Sequence, residues 1–360
     1  MIFGPMPLDD ALGAVAGHTL RLGEGGVVMK GSVLGERQIA ALRAAGHVEV
    51  IAARLDDDDV PENEAAGRVA AAVAGAGVHV SDATTGRCNL HAAADGLLLV
   101  DREPIDRLNL IDEGVALATL PAHAAVREGA MLATVKIIPY AIRRGTLHAC
   151  EEAVAGGALR VAPFRPMSVG LLLTRLPGVH ESVLDRAASA QRIRVERCGG
   201  TVAREIRCFH DEAEVAAAIG SLLAAGCAAI LLVGASAIAD RRDVIPAAVE
   251  RAGGIVEHFG MPVDPGNLLL LGRHGEVVIV GVPGCARSLR HGGFDMVLER
   301  LAARLPVAGT DLMAMGVGGL LHEASSGLHP RDAAEAGIAE RTGRRESAAA
   351  SRRSSRGSAA

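Results

Sequence analysis

The sequence predicts an α/β protein: a three-layer domain with a mostly parallel sheet, preceded by a smaller α+β region rich in strands. From residue 165 onward, apolar strand-like runs alternate with amphipathic helical segments, a pattern typical of a parallel sheet with helices on both faces. Before that point, short apolar runs are separated by turn residues, as in antiparallel strands. With 360 residues, 49% of them hydrophobic, the chain is long enough to bury two or three cores.

Residues 1–60 are predicted to form a small α+β module. The stretch PLDDALGAVAGHTLRL places aspartates ahead of an apolar face, GGVVMKGSVL is predicted as two short strands around a turn, and ERQIAALRAAG as a helix that ends at Gly46. VEVIAARL adds another strand. For the four aspartates at 56–59 we favour a solvated linker over a metal site, because consecutive carboxylates of an extended chain point in alternating directions.

Residues 61–160 are predicted to be rich in strands after an initial helix at about 62–75. The Asp-Gly pair at 95 and 96 fits a hairpin turn. The apolar runs that predict the strands are VHVSDA, CNLHAAADGLLLVD, GVALATL and MLATVKIIPYAI.

Residues 161–325 are predicted to form the α/β domain, with strands at MSVGLLLT, TVAREIRC, AAILLVG and EVVIVG. Ligands of such sheets bind at the carboxyl ends of the parallel strands. Those ends are Thr174, the loop 234–243 and the loop 281–288. Residues 326–360 are rich in Arg, Ser, Ala and Glu and lack the hydrophobicity needed to fold, so they are predicted to be a disordered tail.

Composition argues against two classes of partner. The chain has no Trp, one Tyr and a formal net charge of -5, which disfavours nucleic-acid binding through base stacking or a basic surface. No run approaches the ~18 to 20 apolar residues of a membrane span. Six cysteines without a CxxC pair, and no signal peptide, predict free thiols in the cytoplasm. The sequence leaves open whether the chain forms a homo-oligomer.

The loop GASAIADRRDVIP, at 234–246, leaves a buried strand and enters a helix, and its Asp243 has two interpretations. As a structural residue, Asp243 caps the helix or stabilises its first turn. As a functional residue, it orients a ligand or binds Mg²⁺, with Arg241 and Arg242 as anion ligands. The residues alone leave both interpretations open.

Two further loops carry candidate residues. In GMPVDPGNLLLLG, Asp264 either ends a turn or lines a cleft. In GVPGCARS, at 281–288, the glycines let the backbone approach a ligand and Ser288 can donate to a phosphate oxygen, whereas the alternative is an ordinary tight turn with Arg287 and Arg290 solvated. The candidate binding residues are Thr174, Gly234, Asp243, Asp264, Gly281, Pro283, Gly284 and Ser288.

RRDVIP, DPGN and GVPGCARS, in this order and spacing, resemble the loops of the molybdopterin-binding (MoaB/Mog) domain shared by molybdopterin adenylyltransferases and molybdopterin molybdotransferases. The resemblance covers about 168–305, and in that family these loops surround the pterin phosphate. ALGAVAGHTL and the Lys-Gly pair at 30 and 31 resemble the start of a molybdotransferase. Together with TGRCNLHAAADGLLLVD, TVKIIPYA and GVGGLL, they resemble a bacterial subgroup often fused to a domain that makes molybdopterin cytosine dinucleotide.

The resemblance implies a role in molybdenum cofactor biosynthesis, with molybdopterin as the cofactor held by its phosphate for metal insertion or nucleotide attachment. One alternative is an active molybdotransferase that uses Mg²⁺ and molybdate, with Asp243 as its catalytic and metal-binding residue. The other is a non-catalytic carrier or scaffold for a molybdoenzyme or a separate nucleotidyltransferase.

The sequence departs from the family's enzymes at GASAIAD, where they carry a Gly-Gly-Thr-Gly or Gly-Gly-x-Ser run. The added Cβ atoms restrict backbone approach to a ligand, which favours binding over catalysis. We expect no complete cytidylyltransferase domain in this chain, because RRSSRGSAA has no apolar run before it.

Overall fold

A computed structural model describes residues 1–22 and 26–321, and its chain divides into two compact units. The first unit comprises 1–167, 196–200 and 298–306, and the second comprises 168–195, 201–297 and the chain from 307 onward. The domain boundaries expected near 60 and 160 remain predictions, and the predicted tail at 326–360 lies outside the described residues.

The first unit contains small sheets whose strand pairs are antiparallel. Its helices are α1 Glu36–Ala44, α2 Glu62–Val73, α3 Arg102–Asn109 and α4 Arg144–Ala153. Its strands are β1 Ile2–Pro7, β2 Val15–Ala16, β3 Leu20–Leu22, β4 Gly26–Val28, β5 Glu49–Arg54, β6 Asp59–Pro61, β7 Val78–Val80, β8 Arg87–Ala92, β9 Gly96–Val100, β10 Val115–Thr119, β11 Ala125–Val126, β12 Met131–Ile137, β13 Ala141–Arg143 and β14 Leu159–Pro163.

The strands of the first unit are distributed over several small sheets. The sheets run β1-β5-β2, β10-β12-β8-β7, β11-β9-β14, β13-β6 and β3-β4. Helix α2 presents a face of alanines and valines to a hydrophobic core cluster in which Leu90, Val135 and Leu147 are fully buried. Small aliphatic residues therefore fill the interior, as expected for a chain with 2% aromatic residues.

One local prediction in this unit is wrong, and another is wrong at one residue of four, because Asp56, Asp57 and Asp58 are exposed and Asp59 is buried. The Asp-Gly pair at 95 and 96 does not join a hairpin, because β8 and β9 belong to different sheets. Gly96 instead pairs with β14, where a Cβ atom would lie 2.3 Å from the carbonyl oxygen of Ala162. Asp59 is not solvated: it is 8% exposed, and its carboxylate lies 2.6 Å from the terminal ammonium of Met1.

The second unit is built on a six-stranded sheet in the order β16-β15-β17-β20-β19-β18. The first three neighbouring pairs are parallel and the last two are antiparallel, so the sheet is mixed. Its strands are β15 Ser168–Arg175, β16 Thr201–Phe209, β17 Ala229–Val233, β18 Ile255–Phe259, β19 Leu270–His274 and β20 Val277–Val282. The helices that follow in the chain are α5 Glu181–Arg197, α6 Glu212–Ala224, α7 Val244–Arg251, α8 Gly293–Ala302 and α9 Gly309–Met313.

Mixed α/β structure with a large sheet is thus confirmed, and the three-layer arrangement remains a prediction. β17 is apolar throughout, and β15 carries the buried apolar run Val169–Leu173, which the continuous runs in the sequence indicated. Helix α6 begins at Asp211, whose side chain accepts hydrogen bonds from the amides of Ala213 and Glu214. Across residues 1–22 and 26–321, no helix is long and apolar enough to span a membrane.

Candidate functional site

The strands β15, β17 and β20 end side by side in the second unit. Leu173 pairs with Val233, and Val233 pairs with Val282, so the carboxyl ends of these three strands lie at one edge of the sheet. Thr174 and Arg175 continue to pair with β16. This edge is where parallel α/β sheets bind their ligands. The structure therefore brings Thr174 and Gly234, two of the predicted site residues, to neighbouring strand ends.

Thr174 joins the loops that leave this edge. Its hydroxyl oxygen accepts a hydrogen bond of 2.7 Å from the amide of Ala235 and lies 2.8 Å from Nδ1 of His210. Burial lowers the pKa of His210, although the nearby Asp243 carboxylate acts in the opposite direction. The Thr174 hydroxyl and Nδ1 of His210 share a hydrogen bond whose direction depends on the imidazole tautomer, and Thr174 thereby links the ends of two strands and the loop after β16.

A cleft of about 360 Å³ opens beside this network. Its walls are mostly apolar side chains of β15, β17 and α5, and its polar groups come from Thr174, His180 and Arg287. The loop after β15 turns at Gly178, which has φ +81°. The lining residues are Leu173, Thr174, Gly178, Val179, His180, Val183, Leu184, Ala187, Val233, Gly234, Ala235 and Arg287. The loop 176–180 was missed at the level of sequence, although LPGVH follows the first predicted strand directly.

Arg287 is the cationic group of this cleft. It ends a single 3-10 turn, Gly284–Arg287, which begins after Pro283 at φ -66°. Its Nη2 donates to the carbonyl oxygens of Gly234 at 2.7 Å and Ala235 at 3.3 Å, so the end of β17 fixes the guanidinium. Arg287 is exposed, and its part in ligand binding remains a prediction.

A buried arginine, Arg194 of α5, holds the loop that carries Arg287. Its guanidinium donates to the carbonyl oxygens of Ala286 at 2.8 Å, Ser288 at 2.6 Å and Arg290 at 3.1 Å, and pairs with Asp295 at 2.7 Å. The sequence carried a signal for Arg194 that was overlooked: arginine interrupts the apolar face of the helix at QRIRVER. Arg194 is a positioning residue, because it acts on the cleft through the loop backbone.

The two glycines of GVPGCARS differ in role. Gly281 lies inside β20, where a Cβ atom would approach Leu270 Cβ at 2.8 Å and Ile238 Cδ1 at 2.9 Å. Packing between strands therefore accounts for Gly281 without a ligand. Gly284 is exposed and has no atom within 4 Å of an ideal Cβ, which leaves room beside the turn. Ser288 is exposed as well, and its hydroxyl donates to the carbonyl oxygen of Cys285 at 3.2 Å.

Asp243 organises its own loop. Its Oδ2 accepts hydrogen bonds from the amides of Ala239 at 2.5 Å and Asp240 at 3.0 Å, and it makes no side-chain hydrogen bond to the first turn of α7. Asp264 is exposed and lies in a loop whose backbone pairs with Gly319 and Leu321. Neither aspartate lines the cleft. In the part of the chain that the structure describes, no group of three or more His, Cys, Asp or Glu side chains is arranged to hold a metal ion.

Of the eight predicted binding residues, Thr174 and Gly234 line the cleft. The others surround its loops without lining it: Asp243, Asp264, Gly281, Pro283, Gly284 and Ser288. Their part in ligand binding remains a prediction.

Comparison with solved structures finds likenesses, among them two to proteins of molybdenum cofactor biosynthesis. No protein-family model and no curated protein matches this chain. It is similar to a molybdopterin biosynthesis MoeA protein from Pyrococcus horikosii at 16% identity and a TM-score of 0.30, covering 68% of this chain and 74% of that one. It is also similar to a molybdenum cofactor biosynthesis protein from Pyrococcus furiosus at 13% identity and a TM-score of 0.23, covering 85% of this chain and 66% of that one.

Proposed function

We propose that this chain binds molybdopterin, or a nucleotide derivative of it, as part of molybdenum cofactor biosynthesis. The observation that carries the proposal is the cleft at the carboxyl ends of β15 and β17, with the guanidinium of Arg287 at an otherwise apolar wall. The pterin phosphate would pair with Arg287, since a guanidinium matches the geometry of phosphate oxygens. The loop motifs described from the sequence support the same ligand.

The cleft suits a planar ring as well as a phosphate. Its volume of about 360 Å³ falls in the range of small-molecule sites, ~300 to 1,000 Å³. Leu173, Val183 and Leu184 offer apolar contact, and His180 adds a polar group. A ligand with one flat apolar part and one anionic end would fill both kinds of surface.

Binding is better supported than Mg²⁺-dependent turnover at Asp243. The two amides that donate hydrogen bonds to Oδ2 of Asp243 lie in the loop before α7, so this oxygen already stabilises the loop. The described residues near Asp243 do not supply a set of metal ligands. We therefore assign Asp243 a positioning role. An active molybdotransferase and a carrier for a molybdoenzyme remain alternatives that the assay below separates.

Ligand content tests the proposal directly. The full chain is purified from cells that make the cofactor, oxidised, and examined for pterin fluorescence. We expect a near-stoichiometric pterin signal from the wild type. Arg287→Gln should lower it by about tenfold or more, the scale of a lost hydrogen bond to a charged group.

Arg290→Gln is the matched control, because Arg290 lies in the same loop and does not line the cleft. It should keep the wild-type signal. A wild type without pterin, or equal pterin in both variants, would contradict the proposal. Turnover of added molybdate and Mg²⁺ by the wild type would favour the molybdotransferase, and transfer of intact cofactor to an apo-molybdoenzyme would favour the carrier.

A further inference from the structure

The first unit contains a second cavity, of about 480 Å³, whose walls come from stretches far apart in the sequence. Lys30 follows β4, Glu62 begins α2, Arg87 begins β8, and Lys136 and Tyr140 lie at the end of β12 and just beyond it. The four stretches GHT, KG, TGR and TVKIIPY, which the binding proposal leaves unused, therefore meet at one place.

The composition of this cavity is unlike that of the rest of the chain. The sequence has 37 basic residues, and only two of them, Lys30 and Lys136, are lysines. Both lysines line this cavity, as does Tyr140, the single tyrosine of the chain. All the other basic side chains, counted as Lys and Arg, are arginines, so both lysine side chains of the chain meet here. Ammonium is a compact charge with three rotatable donors, and it serves where a small anion is approached from several directions.

The cations of the cavity have few partners in the protein. Within residues 1–22 and 26–321, Lys30 and Arg87 have no carboxylate within 4.0 Å, and Lys30 lies 6.0 Å from the ring centroid of Tyr140. Lys136 donates to the carbonyl oxygen of Thr85 at 2.5 Å and lies 3.9 Å from Glu62. Each cation thus retains hydrogen-bond donors for a ligand.

Glu62 is the one carboxylate of the cavity wall among the described lining residues. Burial raises its pKa, and the nearby Lys136 and Lys30 only partly oppose that effect. Among the described lining residues, three cationic side chains and one carboxylate give the cavity a charge of +2 when Glu62 is ionised. The chain as a whole has a net charge of -5, so this positive field is local.

The backbone around the cavity is well defined. Gly86, with φ +68°, donates its amide to the side chain of Asn63 at 2.7 Å, and a Cβ atom there would meet Glu62 Oε2 at 2.5 Å. The hydroxyl of Tyr140 donates to the carbonyl oxygen of Gly17 at 3.0 Å. Neither hydrogen bond uses a cationic side chain of the cavity.

We propose that this cavity is a binding site for a small, multiply charged anion of the phosphate class, held by Lys30, Arg87 and Lys136. A local charge of +2 matches an anion of at least two negative charges, which a single carboxylate does not supply. Three donors from different elements suit a diphosphate, whose oxygens point in several directions. The site is independent of the pterin cleft, because all of its residues belong to the first unit.

Isothermal titration of the full chain with inorganic pyrophosphate at low salt is the first test. We expect Lys30→Met, Lys136→Met and Arg87→Gln each to weaken binding by about tenfold or more, since each removes a hydrogen bond between charged groups. Glu62→Gln should tighten binding several-fold, because it removes the charge that opposes the anion. Arg37→Gln on α1 removes the same charge outside the cavity and should change affinity by less than about twofold.

Amine acetylation followed by peptide mass spectrometry localises the anion on the unmodified protein. Because the chain has only two lysines, pyrophosphate should slow acetylation of Lys30 and Lys136 and leave that of the Met1 amine unchanged. A titration with ADP in place of pyrophosphate shows whether the phosphates of a nucleotide can enter the cavity. Binding of either anion supports the proposed site. Absence of pyrophosphate and ADP binding, equal affinity in all variants, or citrate binding as tightly as pyrophosphate would overturn the proposal.

Discussion

The cleft in the second unit and the cavity in the first unit differ in whether other protein groups bond to their polar side chains. At the cleft, the protein itself engages the polar groups: Thr174 bonds to Ala235 and His210, and Arg287 bonds to the end of β17. In the cavity, Lys30 and Arg87 have no carboxylate partner in the described chain. The cleft therefore offers a fixed shape with one cation, whereas the cavity offers unneutralised charge.

This difference indicates how each site would select its ligand. A preformed apolar cleft selects by shape, and its affinity falls when the loops that shape it move. A charged cavity selects by the number of charges, and its affinity follows ionic strength and the ionisation of its own carboxylate. Substitutions that alter packing should therefore affect the cleft, and those that alter charge should affect the cavity.

The largest effect is expected from Arg194→Met. Removing one partner of a buried ion pair costs about 3 to 5 kcal/mol, and here it also removes the donor of the Ser288 and Arg290 carbonyl oxygens, whereas that of Ala286 still accepts from Gln191. We expect a matching loss in the free energy of unfolding, measured in urea, together with loss of pterin. Arg192→Met is the control, since its pair with Glu205 is half exposed and worth at most about 1 kcal/mol. Equal losses in the two variants would show that Arg194 does not hold the loop.

The second-largest effect is expected when the two glycines of GVPGCARS are replaced in turn and the free energies of unfolding are compared. Gly281→Ala forces a Cβ atom against Leu270 and should destabilise the protein by about 1 to 3 kcal/mol through overpacking. Gly284→Ala has open space and should leave the unfolding free energy within about 0.5 kcal/mol of the wild type. If a phosphate lies beside Gly284, this second variant loses pterin while keeping its stability. Retained pterin would place the phosphate elsewhere in the cleft.

Thr174→Val tests the network at the strand ends. The variant keeps the shape of the side chain but leaves the amide of Ala235 and Nδ1 of His210 without their partner, at a cost of about 1 to 2 kcal/mol. We expect that loss in the unfolding free energy and a similar loss in pterin affinity. Thr174→Ser retains the hydroxyl and should recover most of both. Equal behaviour of the two variants would refute a role for the hydroxyl.

Much of the second unit is predictable from sequence because its central strands β15, β17 and β20 are mostly buried. Continuous apolar runs such as AILLV have few other solutions, and the loops that follow them are located with the strands. The roles of single loop residues are not predictable in the same way. Gly281 and Gly284 look alike in sequence, and only the side chains of Leu270 and Ile238, far away along the chain, distinguish them.

The first unit was harder to predict because its cavity depends on contacts between distant segments. The pairing of β8 with β12 brings Arg87 opposite Lys136, and no local pattern indicates that pairing. The prediction of a solvated acidic stretch failed at Asp59 for the same reason, since its partners are the terminal amine and Arg143. The rarity of lysine was visible in the composition, and it gains meaning only when both lysines are found in one cavity.

The pH dependence of anion binding sharpens the charge side of the comparison. Burial raises the pKa of Glu62. As the pH falls, its carboxylate therefore takes up a proton at a higher pH than an ordinary glutamate does. Sulfate keeps its charge across this range, and its affinity for the cavity should therefore rise several-fold as Glu62 is protonated. A His18→Asn background removes the one imidazole that lines the cavity in the described chain. Adding Glu62→Gln should abolish the remaining slope, and an unchanged slope would contradict the assignment.

The smallest effect is expected at Asp243. In Asp243→Asn the amide oxygen can still accept hydrogen bonds from the amides of Ala239 and Asp240. We therefore expect the free energy of unfolding to stay within about 0.5 kcal/mol of the wild type and the pterin content to be unchanged. Asp243→Ala leaves both amides unpaired and should cost about 1 to 2 kcal/mol. Because the Asp243 charge acts to raise the pKa of His210, both variants should lower that pKa further, as measured by NMR titration. If Asp243→Asn instead removes a Mg²⁺-dependent turnover at unchanged stability, the carboxylate has a catalytic role beyond shaping its loop.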